Sequence, residues 1–169
     1  MENNGVKYGL LAGGLVIAYT LLLYLIDEQM LFGGASTLGV VIYIIGMYKA
    51  GMDQRKSLDG FISWKEALTP TFLTYVIGSL LATIFTYLLF TIIDPGLMEV
   101  QNEIARESII QMEGLIGEEG VEKAMEKLEE RGTMNFSDTA LSYAFMLIFG
   151  FVVAAVISAV IKRNRPESV

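Results

Sequence analysis

The chain contains no cysteine and no histidine. No disulfide can form, so cysteine usage says nothing about a redox compartment. The usual Cys/His zinc sites are excluded, together with His-based triads and histidine proton relays. Charge is sparse as well: Asp, Glu, Lys and Arg make up 18% of 169 residues, where an ordinary soluble domain has about 25%. Four long apolar blocks hold no charged residue in their interiors. Ionisable side chains inside a membrane mark proton and ion routes, so their absence argues against proton or sodium coupling through the core. No catalytic signature or paired-carboxylate motif stands at a block edge. The expectation is a protein that is not an enzyme and that has no cofactor and no metal site.

What the chain does have is apolar length. Hydrophobic residues make up 53% of it, and they fall into blocks at residues 8–26, 31–48, 68–93 and 140–161. The first, "YGLLAGGLVIAYTLLLYLI", is a charge-free stretch of 19 residues. As a helix it is roughly 28 Å long, close to the hydrocarbon thickness of a bilayer. No small-x-small cleavage site follows it before Asp27, so it is expected to be a retained span and not a signal peptide. Barrel strands would be about ten residues long and would alternate in character. These blocks do neither, so the sequence predicts an all-α integral membrane protein of one domain with four transmembrane helices. Only "DEQM", residues 27–30, separates the first two blocks, which predicts an antiparallel hairpin. Pro70 is expected in the first turn of the third helix, where its missing N–H costs nothing.

The basic residues set the orientation. Lys7 precedes the first block; Lys49, Arg55, Lys56 and Lys65 lie between the second and third; Lys162, Arg163 and Arg165 follow the fourth. Four spans put all eight on one face. The positive-inside rule then predicts both termini in the cytoplasm and the segment at 95–138 outside.

That segment begins at "IIDPGL". Asp94 ends the apolar run and Pro95 turns the chain away, which reads as a membrane exit. Residues 94–138 hold twelve of the 19 carboxylates and four basic residues, so the net charge of −7 describes this segment and not the whole chain. Met98, Ala105, Ile109, Met112 and Ile116 recur at helical spacing, "GEEG" breaks the pattern, and Val121, Ala124, Met125 and Leu128 resume it. The prediction is two short amphipathic helices over the outer face, with Gly132 as the C-cap of the second. Glu119 and Lys123 make an attractive i,i+4 pair. Nothing here resembles a calcium loop, so the glutamates read as a solvated face. Ile109 and Met112 are the candidate contacts for a partner.

Small and hydroxyl residues form rows: Gly5, Gly9 and Gly13, the last two inside the first block; Gly150, Ala154 and Ser158; and Tyr75, Ser79, Thr83, Tyr87 and Thr91, beside Gly78, Ala82 and Thr86. Small residues let helices approach closely, and hydroxyls bond across the contact. Helix packing is the simpler meaning. The row Tyr75, Ser79, Thr83, Tyr87 is the better candidate for a groove that takes a lipid or a small polar ligand. Trp64, the single tryptophan, reads as a headgroup anchor, and Ser63 with Glu66 as a capping box.

The stretch "DGFISWKEALTPTFLTYVIGSLLATIFTYLLFTIIDPGL" resembles the bacterial family called domain of unknown function 4199. The resemblance rests on Gly60, Ile62, Ser63, Trp64 and Ala67 at the start of the third span and on Ile93, Asp94 and Pro95 at its exit. It also rests on the glycine-rich first span and the charged helical segment before the last. It implies four helices in the bacterial inner (cytoplasmic) membrane, and it carries no activity from which a catalytic residue could be transferred.

Two functions compete. The first is a non-enzymatic subunit or scaffold of an envelope assembly, with the outer segment as its contact surface. The second is an oligomeric channel or transporter for a small solute or lipid, lined by the third span. The expected partners are the lipid bilayer and either a second copy or another membrane protein. No nucleic acid is expected.

Overall fold

The computed structural model describes residues 3–130 and 135–165; Gly132, the expected cap, lies outside the described residues. Six α-helices appear in order among the described residues: α1 Asn4–Ile26, α2 Leu38–Ser57, α3 Trp64–Leu88, α4 Leu97–Gln111, α5 Glu113–Glu130 and α6 Phe136–Ile161. Among the described residues, four helical segments are long and apolar enough to cross a membrane, and they contain α1, α2, α3 and α6. The protein is all-α; the one β-type pairing among the described residues is an isolated bridge between Ile62 and Arg163.

The exterior of the bundle agrees with that reading. Leu11, Leu15, Leu22, Phe149, Val152 and Val156 are between 54% and 61% exposed. Soluble monomers rarely leave so much contiguous apolar surface to water. Between the helices the core combines small residues and tyrosines with a few large apolar side chains, Met47, Ile62 and Ile161 among them. Hydrocarbon solvent gives helices no hydrophobic reason to associate, so close van der Waals approach and hydrogen bonds must hold them.

α1 and α3 run side by side in the same direction, and glycine is the reason they can. A Cβ added at Gly5 would lie 2.9 Å from Leu73 Cβ, one at Gly9 2.8 Å from Ile77 Cβ, and one at Gly13 3.0 Å from Gly78 Cα. Thr74 Oγ1 bridges the seam to the Gly5 carbonyl at 3.3 Å. α6 lies antiparallel to α3. The Thr71 and Ser158 hydroxyls meet at 2.9 Å, and the Tyr75 ring fills the space a Cβ at Gly150 would need. α2 is antiparallel to α1, with Gly46 against Ala12.

The eight basic residues outside the acidic segment gather at one end of the bundle, where α1 starts, α2 ends, α3 starts and α6 ends. Polar bonds tie this end together: Tyr8 Oη to Asp53 at 2.5 Å, Asn4 to Gln54 at 3.1 Å, and Arg55 to the Ile161 carbonyl at 3.2 Å. Ser63 and Glu66 form the expected capping box.

Several expectations need correction. The helix of the second block begins at Leu38, not Leu31, and runs on to Ser57. Residues 28–31 and 34–37 form two 3₁₀ turns. There the Ser36 and Thr37 hydroxyls bond back to the Gly33 and Gly34 carbonyls, at 2.7 and 2.6 Å. Such local bonds compete with the helical pattern, and two adjacent glycines offer little resistance. Pro70 is not in a first turn: α3 starts at Trp64, so Pro70 lies inside the helix and is buried. Its carbonyl accepts the Thr74 hydroxyl at 2.8 Å. The Trp64 indole N–H donates to the Ala155 carbonyl of α6 at 3.0 Å, so beyond its expected part as an anchor it ties two helices together.

Past α3 the chain makes a π-turn over Leu89–Ile93, which buries both Leu89 and Phe90 against Leu97, Tyr24 and Phe32. α4 packs on the first 3₁₀ turn and on α5. Arg106 of α4 reaches Glu129 of α5 at 3.4 Å, so the two form an antiparallel hairpin. The first of these helices ends at Gln111, not at Ile116. The bend falls at Gly117, whose φ of 71° suits glycine. The Glu119–Lys123 pair forms at 2.6 Å.

Candidate functional site

The hydroxyl row on α3 divides along its length. Its first half is structural. Tyr75 is buried edge-on against Tyr43, with ring centroids 5.4 Å apart. Ser79 is 1% exposed and bonds back to the Tyr75 carbonyl at 2.7 Å. Its second half, Thr83 and Tyr87, lines an open cleft of 780 Å³ together with Ser79, while Tyr75 lies beneath. That volume falls within the roughly 300–1,000 Å³ of typical small-molecule sites.

The cleft exists because α2 and α6 part. Toward the basic end the two are in contact: Gly51 of α2 faces the Ile161 side chain, with a would-be Cβ at 2.6 Å. Toward the acidic end they separate. Gly39, Val40 and Tyr43 of α2 form one wall, Thr139, Ser142 and Met146 of α6 the other, and α3 the floor. Met98, Gln101 and Asn102 of α4 and Leu128 of α5 close it from above. Val40, Leu141 and Met146 line the cleft yet are 45%, 59% and 45% exposed, so it opens sideways between α2 and α6.

Two tyrosines brace the floor. Tyr43 donates to the Gly78 carbonyl at 3.2 Å and Tyr143 to the Val76 carbonyl at 2.8 Å. By contrast, the side chains of Thr83, Thr86, Tyr87, Gln101, Asn102 and Ser142 line the cleft with no hydrogen-bond partner among the described residues. The lining is therefore rich in hydroxyls and carboxamides that remain open to a ligand. Among the described residues its one charged member is Asp138, which accepts from the Asn135 carboxamide at the start of α6, at 2.6 Å. No group of His, Cys, Asp and Glu able to hold a metal occurs among the described residues.

The other expected residues lie outside the cleft. Asp94 ends the π-turn with both carboxylate oxygens engaged: one accepts from Tyr24 Oη at 2.9 Å, the other from the Gly96 N–H at 3.1 Å. It stops one helix, starts the next and ties the exit to the end of α1. Pro95 is exposed beside it. Ile109 is half-buried, whereas Met112 is exposed at the tip of the acidic hairpin. Sequence reasoning missed the contributions of α2, α4 and α6 to the cleft. The tyrosines within the apolar blocks, Tyr43 and Tyr143, were the available signal, since a buried phenol needs an acceptor.

Residues 7–163 match the family described as "Protein of unknown function (DUF4199)", and the chain belongs to it. No curated protein and no solved structure matches the chain.

Proposed function

We propose that this multi-pass membrane protein binds an amphiphile from the bilayer in the cleft between α2, α3 and α6, and that it acts as a binding or carrier component, not as an enzyme. The carrying observation is a cleft that joins unpartnered hydroxyls and amides to a sideways opening between two lipid-facing helices. A solute from water has no need of that side opening; a lipid does. We place both termini inside on the strength of the basic residues gathered at one end, and take the membrane to be a bacterial cytoplasmic one from the family resemblance of the third span.

Native mass spectrometry of the protein extracted with its membrane lipids tests this reading. The wild-type chain should retain a stoichiometric amphiphile. Ser142→Trp, which adds bulk at an exposed lining position, should lose it while the fold is kept. Retention by the variant, or no retained species in the wild type, would count against the reading.

The scaffold reading draws on a different feature. At the hairpin tip Ile110, Met112 and Leu115 are 54%, 46% and 84% exposed. Met112→Glu with Leu115→Glu should then reduce oligomer size after gentle extraction; an unchanged size counts against assembly through the tip.

A further inference from the structure

We infer that the amphiphile taken by this cleft carries an uncharged head bearing hydroxyl or amide groups, of the monoacylglycerol or glycolipid kind, and that anionic phospholipid heads are rejected. This inference rests on the amphiphile reading above and adds the class of ligand. Three observations carry it.

The first is the sign of the lining. Among the described residues no Lys or Arg lines the cleft, and the charged residue that does is the carboxylate of Asp138. A phosphate brought under the hairpin would leave the headgroup region with no cation among the described lining residues to meet it. An ion moved out of water without a partner is costly, and the carboxylates of α4 and α5 above would repel it.

The second is the chemistry of what is free. Thr83, Thr86, Tyr87 and Ser142 offer hydroxyls that both donate and accept, and Gln101 and Asn102 offer carboxamides that do the same. Sugar and glycerol hydroxyls are complementary to this set, because each also donates and accepts. Sites that hydrogen-bond a substrate hydroxyl discriminate strongly, since a ligand lacking it leaves their polar groups unpaired.

The third is the arrangement along the bundle axis. The amides sit on α4, above; Ser142 and Met146 sit on α6, one turn apart; and Val40, Leu141 and Met146 line the side opening. A ligand seated with its head beneath α4 and its chain leaving between α2 and α6 would meet polar groups at one end and apolar side chains at the other.

The test uses the full chain in phosphatidylcholine nanodiscs and two photoactivatable probes with the same acyl chain, a monoacylglycerol and a lysophosphatidylglycerol. Cross-linked peptides are mapped by mass spectrometry. The monoacylglycerol should label the α3 and α6 walls of the cleft, and unlabelled monoacylglycerol should compete. The lysophosphatidylglycerol should label those walls at least about tenfold less. Thr83→Val with Tyr87→Phe keeps the shape and removes two hydroxyls, so it should lower cleft labelling by about threefold or more. Ser142→Ala provides a second, milder variant should that pair fold poorly, and it should lower labelling in the same direction. Equal or stronger cleft labelling by the anionic probe would overturn the inference and leave amphiphile binding intact. Cleft labelling unaffected by either hydroxyl-removing variant would overturn it as well. Labelling of the cleft by neither probe would overturn the amphiphile reading itself.

Discussion

Gly13 and Gly14 are adjacent glycines in the same helix, and the structure assigns them opposite sensitivities. A Cβ at Gly13 would lie 3.0 Å from both the Cα and the carbonyl oxygen of Gly78, whereas one at Gly14 would meet nothing within 4 Å. Ordinary van der Waals contact between such atoms begins near 3.5 Å, so Gly13→Leu forces α1 away from α3 by about half an ångström or more. The obstacle is backbone, so no rotamer of the new side chain relieves it. The same displacement loosens Gly5 and Gly9, which share the seam. Overpacking of this kind costs about 1–3 kcal/mol, which is about 5- to 150-fold in the ratio of folded to unfolded protein. Gly14→Leu adds one more apolar side chain to a face that already carries the exposed Leu10, Leu11 and Leu15. It should be neutral or slightly stabilising, since glycine is a poor helix former. Unfolding both variants by denaturing detergent in mixed micelles measures the difference directly. Equal midpoints would refute the claim that the glycine row of α1 is a helix contact.

Other substitutions carry expectations of their own. Gly150→Leu competes with the Tyr75 ring for the same space, so melting temperature and expression should both fall. In a double-mutant cycle, Thr71→Val and Ser158→Ala should show a coupling of about 0.6 kcal/mol, the usual worth of an interhelical bond in a membrane protein; additive effects would mean that the two hydroxyls do not act together. Leu128→Glu puts a charge on the buried underside of the hairpin and should raise protease sensitivity between Leu97 and Glu130 while leaving the four-helix core intact. Topology has its own check: an externally active reporter should work when fused after Pro95 and fail when fused after Val169.

The spans and their order could be read from the sequence because hydrocarbon imposes a condition on every residue in a span, and apolar length alone reveals it. The capping box was equally legible, since Ser63 and Glu66 satisfy each other within four residues, although it opens α3 itself and the apolar pattern put that start nearer Pro70. The start of α2 was not: apolarity continues from Leu31, but the pair Gly33–Gly34 and the hydroxyls after it favour turns, and hydropathy does not distinguish a turn from a helix. Pro70 was misplaced for a related reason, since the apolar block begins one turn after the helix does. The hydroxyl row was visible on α3, but its division was not. Tyr75 and Ser79 are buried and Thr83 and Tyr87 line a cleft only because α2 and α6 separate between those levels. That separation is a property of three helices packed together, which the periodicity of one cannot contain.

The absence of cysteine makes the central claim accessible to a single set of measurements. A small fluorophore on Thr83→Cys, with Val156→Cys on the lipid face and Glu122→Cys on the hairpin as references, can be read in liposomes against brominated lipid chains and aqueous iodide. If the cleft opens to the bilayer, Thr83 should be quenched by brominated lipid to an extent approaching Val156, and protected from iodide relative to Glu122. Quenching of Thr83 by iodide as strong as at Glu122, with no effect of brominated lipid, would mean a water-filled vestibule closed to the membrane, and would contradict the account.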